Sequence, residues 1–268
     1  MSKKIALFFL IIISVSALII PFFTGLDPNT FKPDEMTGAS PPTLRHVFGT
    51  DDLGRDILLR CIYGARVSLS VGFIAILISI FIGGLVGLCS GYASKFVDEI
   101  IMRFVDFFMA IPTIFLILII QVMLTPSIYN VMIVIGLTSW MGVSRLVRSE
   151  VLSIKERPYI LAGRARGFGS FRLLFKHIFP HTAPPVIVAA MLGMGNAIII
   201  ESVLSFLGLG VQPPHASWGN MLEGSLSYMR DAPWMMLFPG LCITCTVLSL
   251  NVMGDWLRAR FNPQEQES

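Results

Sequence analysis

The stretch RLVRSEVLSIKERPYILAGRARGFGSFRLLFKHIFPHTAPP, Arg145 to Pro185, lies between two strongly apolar runs. It is the only long, strongly basic stretch in the chain: Arg145, Arg148, Lys155, Arg157, Arg164, Arg166, Arg172 and Lys176 stand against only Glu150 and Glu156. Positive charge flanking membrane spans is retained on the cytoplasmic side, so this segment sets the orientation of everything around it. It is also patterned. Pro158 and Gly167 bracket a short helical piece, Tyr159 to Arg166. A second piece, Ser170 to Phe179, places Phe171, Leu174, Phe175 and Ile178 at i, i+3, i+4 and i+7, one apolar face of a helix. Gly167, between the two, suits a positive φ or a close backbone contact. Two short amphipathic helices of this kind either lie on anionic lipid or dock against a soluble partner.

The composition places the rest of the chain in a bilayer. Of its 268 residues 54% are hydrophobic and 14% charged, where soluble domains carry about 25% charged residues. A net charge of +3 is too small to suggest nucleic-acid binding. Cys89 and the Cys242/Cys245 pair sit in apolar runs and read as small core residues. The histidines His46, His177, His181 and His215 have no metal-binding spacing, and Pro180 is expected to interrupt the helix between His177 and His181. No Lys follows a Gly, so the chain carries no G-x-x-x-x-G-K-[ST] phosphate loop and does not read as its own ATPase. Neither H-E-x-x-H nor any other acid, base and nucleophile constellation is visible.

Six apolar runs near the ~20 residues that cross a bilayer follow in order. The first, Ile5 to Phe23 behind Lys3 and Lys4, reads as a retained anchor with its N-terminus inside, although Val15-Ser16-Ala17 loosely resembles a cleavage site. Thr24 to Arg66, with Pro28, Pro33, Pro41 and Pro42, is an outer loop. The second run spans Val67 to about Cys89 and carries Gly83, Gly87 and Gly91, a spacing that lets helix backbones approach closely in lipid, within one subunit or between two. In the third, Ile100 to Leu124, Arg103 and Asp106 are placed to pair and Pro112 to kink the helix. The fourth is Ile128 to about Val147, the fifth begins after Pro184-Pro185 and runs to about Leu207, and the sixth is roughly Met235 to Leu257. Asn196 and Glu201 fall inside the fifth. Ionisable residues in spans are functional candidates by default, while Glu201 also fits a structural pairing with Arg66 or Arg60. With the N-terminus inside, thirteen of the twenty Lys and Arg fall on the inner side and six outside, so both termini are expected in the cytoplasm.

Three motifs resemble a known family. Ala162-Gly163-Arg164-Ala165-Arg166-Gly167 followed by His177-Ile178-Phe179-Pro180 looks like the "EAA" loop of permease subunits of bacterial ABC importers, with Leu161 in place of the usual Glu and Gly163 in place of the second Ala. Phe48-Gly49-Thr50-Asp51-Asp52-Leu53-Gly54-Arg55-Asp56 resembles the FGTD-x-LGRD signature of the dipeptide/oligopeptide/nickel branch; read without the family, it is turn and helix-capping chemistry. Glu201 to Gly210, followed by Pro213-Pro214 and Trp218-Gly219, resembles the same branch. The resemblance implies an all-α, six-span permease of the type I importer fold. Residues 1–66 are then an anchor and outer loop, 67–263 the permease domain with its coupling loop at 145–185, and 264–268 a polar tail. It also implies an ATPase-docking role for Tyr159, Ala162, Gly163, Arg164, Ala165, Gly167, Ile178 and Pro180. The implied partners are a homologous second permease, two ABC ATPases holding ATP and Mg, and an extracytoplasmic solute-binding protein. The implied cargo is di- or oligopeptides, with nickel or a metal chelate as the alternative. An ion-driven secondary transporter is the competing class, for which inverted repeats are the expected mark; none is evident.

Overall fold

The computed structural model describes residues 1–23 and 38–261. Pro28, Pro33 and the tail 264–268 lie outside the described residues. Helices account for nearly all of the architecture: α1 (Lys3–Phe23), α2 (Ile57–Tyr92), α3 (Lys95–Met109), α4 (Thr113–Met123), α5 (Ile128–Lys155), α6 (Pro158–Ala165), α7 (Ser170–Arg172), α8 (Phe179–Phe206), α9 (Trp218–Ser225) and α10 (Trp234–Phe261). Among the described residues five of them are long and apolar enough to cross a membrane, and α3 with α4, bent by 76°, passes the same test when the two are taken together, which gives six if that pair is one span. Pro112 accounts for the break. It stands as the N-cap of α4, where its missing N–H breaks no helical hydrogen bond, so the span is broken rather than kinked. Residues 156–169 define a basic end of the bundle; residues 38–56 and 207–233 lie at the far end.

The tightest packing joins α2 to α5. A Cβ added at Gly83 would lie 2.5 Å from the Trp140 carbonyl oxygen, one at Gly87 2.5 Å from that of Ser144, and one at Gly91 2.7 Å from the Val151 Cβ. The four-residue glycine spacing therefore serves contact within the chain. In lipid, where apolar burial drives little, such close approach is itself the stabilising contact. Around this seam one core cluster gathers Val71, Ala75, Ile117, Ile135 and Leu204, and a second, toward the basic end, gathers Leu88, Val147, Val151, Ile154, Ile160 and Ile178.

Several sequence expectations are corrected. Helix α2 begins at Ile57, ten residues before Val67, because the Asp56 carboxylate caps it, accepting from the Leu59 N–H at 2.9 Å. A boundary at Arg66 thus falls inside a helix. Helix α8 does not start after Pro184-Pro185. It runs through Pro180, Pro184 and Pro185 and is fed by a π-turn at Leu173–Ile178. There the Phe179 N–H bonds to the Leu174 carbonyl, five residues back. This wider turn displaces the carbonyl that the Pro180 ring would otherwise strike, so Pro180 does not separate His177 from His181. Asp106 pairs with Arg145 of α5 rather than with Arg103. Cys89, read as a core residue, is exposed.

Candidate functional site

At the basic end, α6 and the α7–π segment form a hairpin on the bundle. Pro158 opens α6 at a position where its missing N–H is harmless. The helix closes in a Schellman arrangement: the Phe168 N–H bonds to the Gly163 carbonyl at 3.0 Å and the Gly167 N–H to that of Arg164 at 2.9 Å. That closure demands a left-handed residue, and Gly167 has φ 78°. The hairpin is anchored by Ile160, Leu173 and Ile178, all buried. Gly163 faces inward as well, since a Cβ there would sit 3.0 Å from Leu173 and 3.2 Å from Phe168.

The expected apolar face of the second piece is split. Ile178 is buried and Leu174 half-buried, but Phe171 is 76% and Phe175 44% exposed. The π-turn is the reason: it sets Leu173 and Ile178, five apart, on the inner side and turns the aromatic residues out. Phe171 and Phe175 lie 4.5 Å apart between ring centroids, and Phe175 and Phe179 6.4 Å. Tyr159, Leu161, Ala162, Arg164, Ala165, Gly167 and Pro180 are also exposed. Of the loop residues singled out from sequence, Gly163 and Ile178 therefore hold the hairpin together and the rest form its outer surface. That surface, aromatic and arginine-rich at once, has the composition of a protein-binding patch.

The bundle beneath this hairpin is braced by charge. Asp98 at the start of α3 accepts from Arg148 Nε and Nη2, each at 2.6 Å, and from the Ser90 hydroxyl. Lys155 Nζ donates to the Gly91 carbonyl at 3.1 Å. The basic residues nearest the membrane are thus partly spent on holding α2, α3 and α5 together. Nothing in the linear spacing of Asp98 and Arg148, fifty residues apart, marks them as partners.

Toward the far end, Glu201 is fully buried. Its partners are not Arg60 or Arg66 but serines: the Ser68 hydroxyl donates to Oε2 and the Ser205 hydroxyl to Oε1, each at 2.8 Å. These hydroxyls in turn accept backbone N–H groups from the far-end loop, Val211 to Ser205 at 3.0 Å and Trp218 to Ser68 at 3.4 Å. The carboxylate is the centre of a relay that ties α2, α8 and the loop before α9 together. Ser205 is legible from its i+4 spacing to Glu201; Ser68, 133 residues away, is not. Asn196, grouped with Glu201 from sequence, is exposed instead.

The 48–56 motif is a compact turn that clamps the far end. Gly49 has φ 78° and Gly54 φ 74°. The Thr50 hydroxyl accepts from the Ser40 N–H at 2.9 Å, and its carbonyl accepts from Trp234 Nε1 at 3.1 Å. Asp51 accepts from the Leu53 and Arg55 N–H groups and from Arg55 Nε at 2.7 Å, and Arg60 Nε approaches it at 3.6 Å. Asp56 caps α2 and bonds His46 Nδ1 at 2.8 Å. Phe48 stacks on Phe238 at 3.9 Å. Thr50, Asp51, Arg55 and Asp56 are each engaged inside the chain, which fixes the entrance of α2 against α10.

Comparison with known proteins gives this architecture its relatives. The chain is 41% identical to the dipeptide transport system permease protein DppC of Alkalihalophilus pseudofirmus, over 98% of this chain and 86% of that one. It is 37% identical to the oligopeptide transport system permease protein OppC of Bacillus subtilis, over 98% and 87%. Among solved structures, an inward-facing form of the MetNI methionine ABC transporter superposes with a TM-score of 0.62 at 17% identity, over 76% of this chain and 97% of that one. The model of the family described as "Binding-protein-dependent transport system inner membrane component" matches residues 79–265. With that match and those relatives, the chain belongs to the family of binding-protein-dependent inner-membrane transport components, the permeases of ABC importers.

Proposed function

We propose that this chain forms half of the translocation pathway of an ATP-driven importer of di- and oligopeptides. The observation that carries the coupling part of this reading is the continuity of the basic-end hairpin with a span. From Ser170 through the π-turn to Phe206 the helix has no break. A displacement at the aromatic surface is therefore transmitted along α8 to the Glu201 relay and, through it, to α2 and the far-end loop. ATP and Mg are held by two partner ATPases, which seat on the outer surface of α6 and α7. A homologous second permease completes the pathway, and an extracytoplasmic solute-binding protein delivers cargo to the far end. ATP-driven closure of the ATPases shifts this chain between two access states by binding one of them more tightly. Permeases named for dipeptides and oligopeptides among the relatives support peptide cargo over nickel.

The basic end is cytoplasmic in this reading, with both termini on that side, supported by the charge bias. A reporter inserted between Lys155 and Arg166 is expected inside and one beside His215 outside; the reverse pattern overturns the orientation. For the cargo, proteoliposomes carrying the complete transporter are expected to take up labelled tri-alanine only with ATP and binding protein present. Nickel uptake without peptide uptake under the same conditions contradicts the peptide assignment.

A further inference from the structure

At mid-span, α2, α5 and α8 part to leave a cleft of about 200 Å³, walled by Ala75, Ile76, Ser79, Ser139, Gly142 and Asn196 among others. Ser79 is fully buried, and its hydroxyl has no hydrogen-bond partner. Among the buried hydroxyls of the described residues it shares this with Thr246 alone. Ser139, Ser202 and Ser249 each satisfy their hydroxyls on the carbonyl four residues back, at 2.7, 2.8 and 2.6 Å. Ser79 leaves that option unused, although an unmet buried hydroxyl costs about 1–3 kcal/mol. Asn196 brings a carboxamide to the rim of the same cleft, exposed at a depth where hydrocarbon would penalise it. No wall residue is ionisable. Toward the basic end the cleft shares Leu146 and Ala189 with a second one of about 600 Å³, whose walls include Glu150, Arg157, His181 and Arg258.

From this we infer a substrate subsite within this single subunit: the Ser79–Asn196 cleft binds one neutral peptide group of the cargo at mid-membrane. The inference rests on the peptide-importer reading above and adds to it where, and by which chemistry, this chain touches the cargo. Once the cleft widens enough to uncover Ser79, a hydroxyl and a carboxamide together offer donors and acceptors that match an amide N–H and C=O. Without a carboxylate or a cation the site cannot neutralise a free peptide terminus, and it lacks the anionic oxygens that a hard metal ion requires. Charged termini are met instead at the basic end, once the cargo has passed Leu146 and Ala189. A neutral grip also explains how one pathway passes peptides of differing sequence, since every residue presents the same backbone amide.

Two variants test it in the complete transporter. A Cβ at Gly142 meets nothing within 4 Å, so Gly142→Leu starts into open space and narrows the cleft. Tri-alanine uptake is expected to fall at least tenfold, with both ATPases and the second permease still co-purifying. Ser79→Ala removes only the hydroxyl; uptake should fall roughly threefold to tenfold, the weight of one hydrogen bond, and Ser79→Thr should restore it. In a Cys89→Ser background, Gly142→Cys should be modified by a methanethiosulfonate reagent, and excess tri-alanine should slow that reaction. Should Gly142→Leu shed the second permease, the buried Ser79→Ala decides. Wild-type uptake in Ser79→Ala, or modification indifferent to tri-alanine, overturns the subsite and leaves only a water-filled cleft. A wild-type transporter that moves no peptide overturns the parent reading instead.

Discussion

Ala162→Trp and Gly167→Val are each expected to lower ATP-driven uptake by roughly tenfold or more while leaving the chain inserted and paired with its sister permease. The two act by different routes. Ala162 lies exposed on α6, so a Trp adds bulk outside the fold and holds an ATPase away from the aromatic surface. Gly167 meets no steric obstacle, because a Cβ there finds nothing within 4 Å; its cost is conformational. At φ 78° an L-residue pays about 1–2 kcal/mol, more for a β-branched one, and the Schellman closure of α6 is released. Since about 1.4 kcal/mol is tenfold in an equilibrium constant, loss of docking on this scale follows from Gly167 alone. Arg164→Gln should do much less, as an exposed charge contributes little. Uptake and ATPase co-purification, measured in parallel, check both variants. Normal values for Ala162→Trp and Gly167→Val together would return the hairpin to a role at the lipid surface.

Glu201→Ala is expected to be among the most destabilising single changes in the chain, by on the order of 3–5 kcal/mol, because two buried hydroxyls each lose their acceptor at about 1–3 kcal/mol apiece and a cavity remains. Glu201→Gln keeps the shape. Its carbonyl accepts from one serine and its NH2 donates to the oxygen of the other, which turns its own hydroxyl away, so a loss of no more than about 1.5 kcal/mol is expected. The readout is the melting of the detergent-solubilised protein, alongside uptake. If Glu201→Ala melts like wild type while uptake is lost, the residue belongs to the pathway and not to the frame that the Ser68 and Ser205 contacts describe.

The parts of this molecule that were legible in its sequence are those fixed locally. The six apolar runs are long enough to span and cannot be packed otherwise at this composition. Pro158, Gly167 and Pro112 mark their helix ends because backbone sterics act on the residue itself. What escaped reading depends on distant partners or on register. Helix α2 extends back to Ile57 although Arg60 lies in its first turn, since Asp51, beyond its start, approaches that charge. The prolines of α8 look like a boundary until the π-turn ahead of them is known. That turn also reassigns the face of the hairpin: the 3.6-residue period groups Phe171 with Ile178, whereas the wider turn buries Ile178 and exposes Phe171. Asp106 chose Arg145 over the nearer Arg103, and Glu201 chose serines over arginines. In each case the choice was made by the α2–α5 seam and the far-end loop, which bring together residues that no local spacing relates.

The central claim, that the basic-end hairpin is where this permease meets its ATPases, is tested most directly by cross-linking in native membranes. Ala165→Cys, in a Cys89→Ser background, presents a thiol on the exposed side of α6, and Leu53→Cys presents one at the far end. A short bifunctional thiol reagent should join Ala165→Cys to an ATPase subunit, with a yield that changes when ATP is added, and should give no ATPase adduct with Leu53→Cys. A transporter that takes up peptide normally yet gives no ATPase adduct at Ala165→Cys, or gives it equally at Leu53→Cys, would contradict the account.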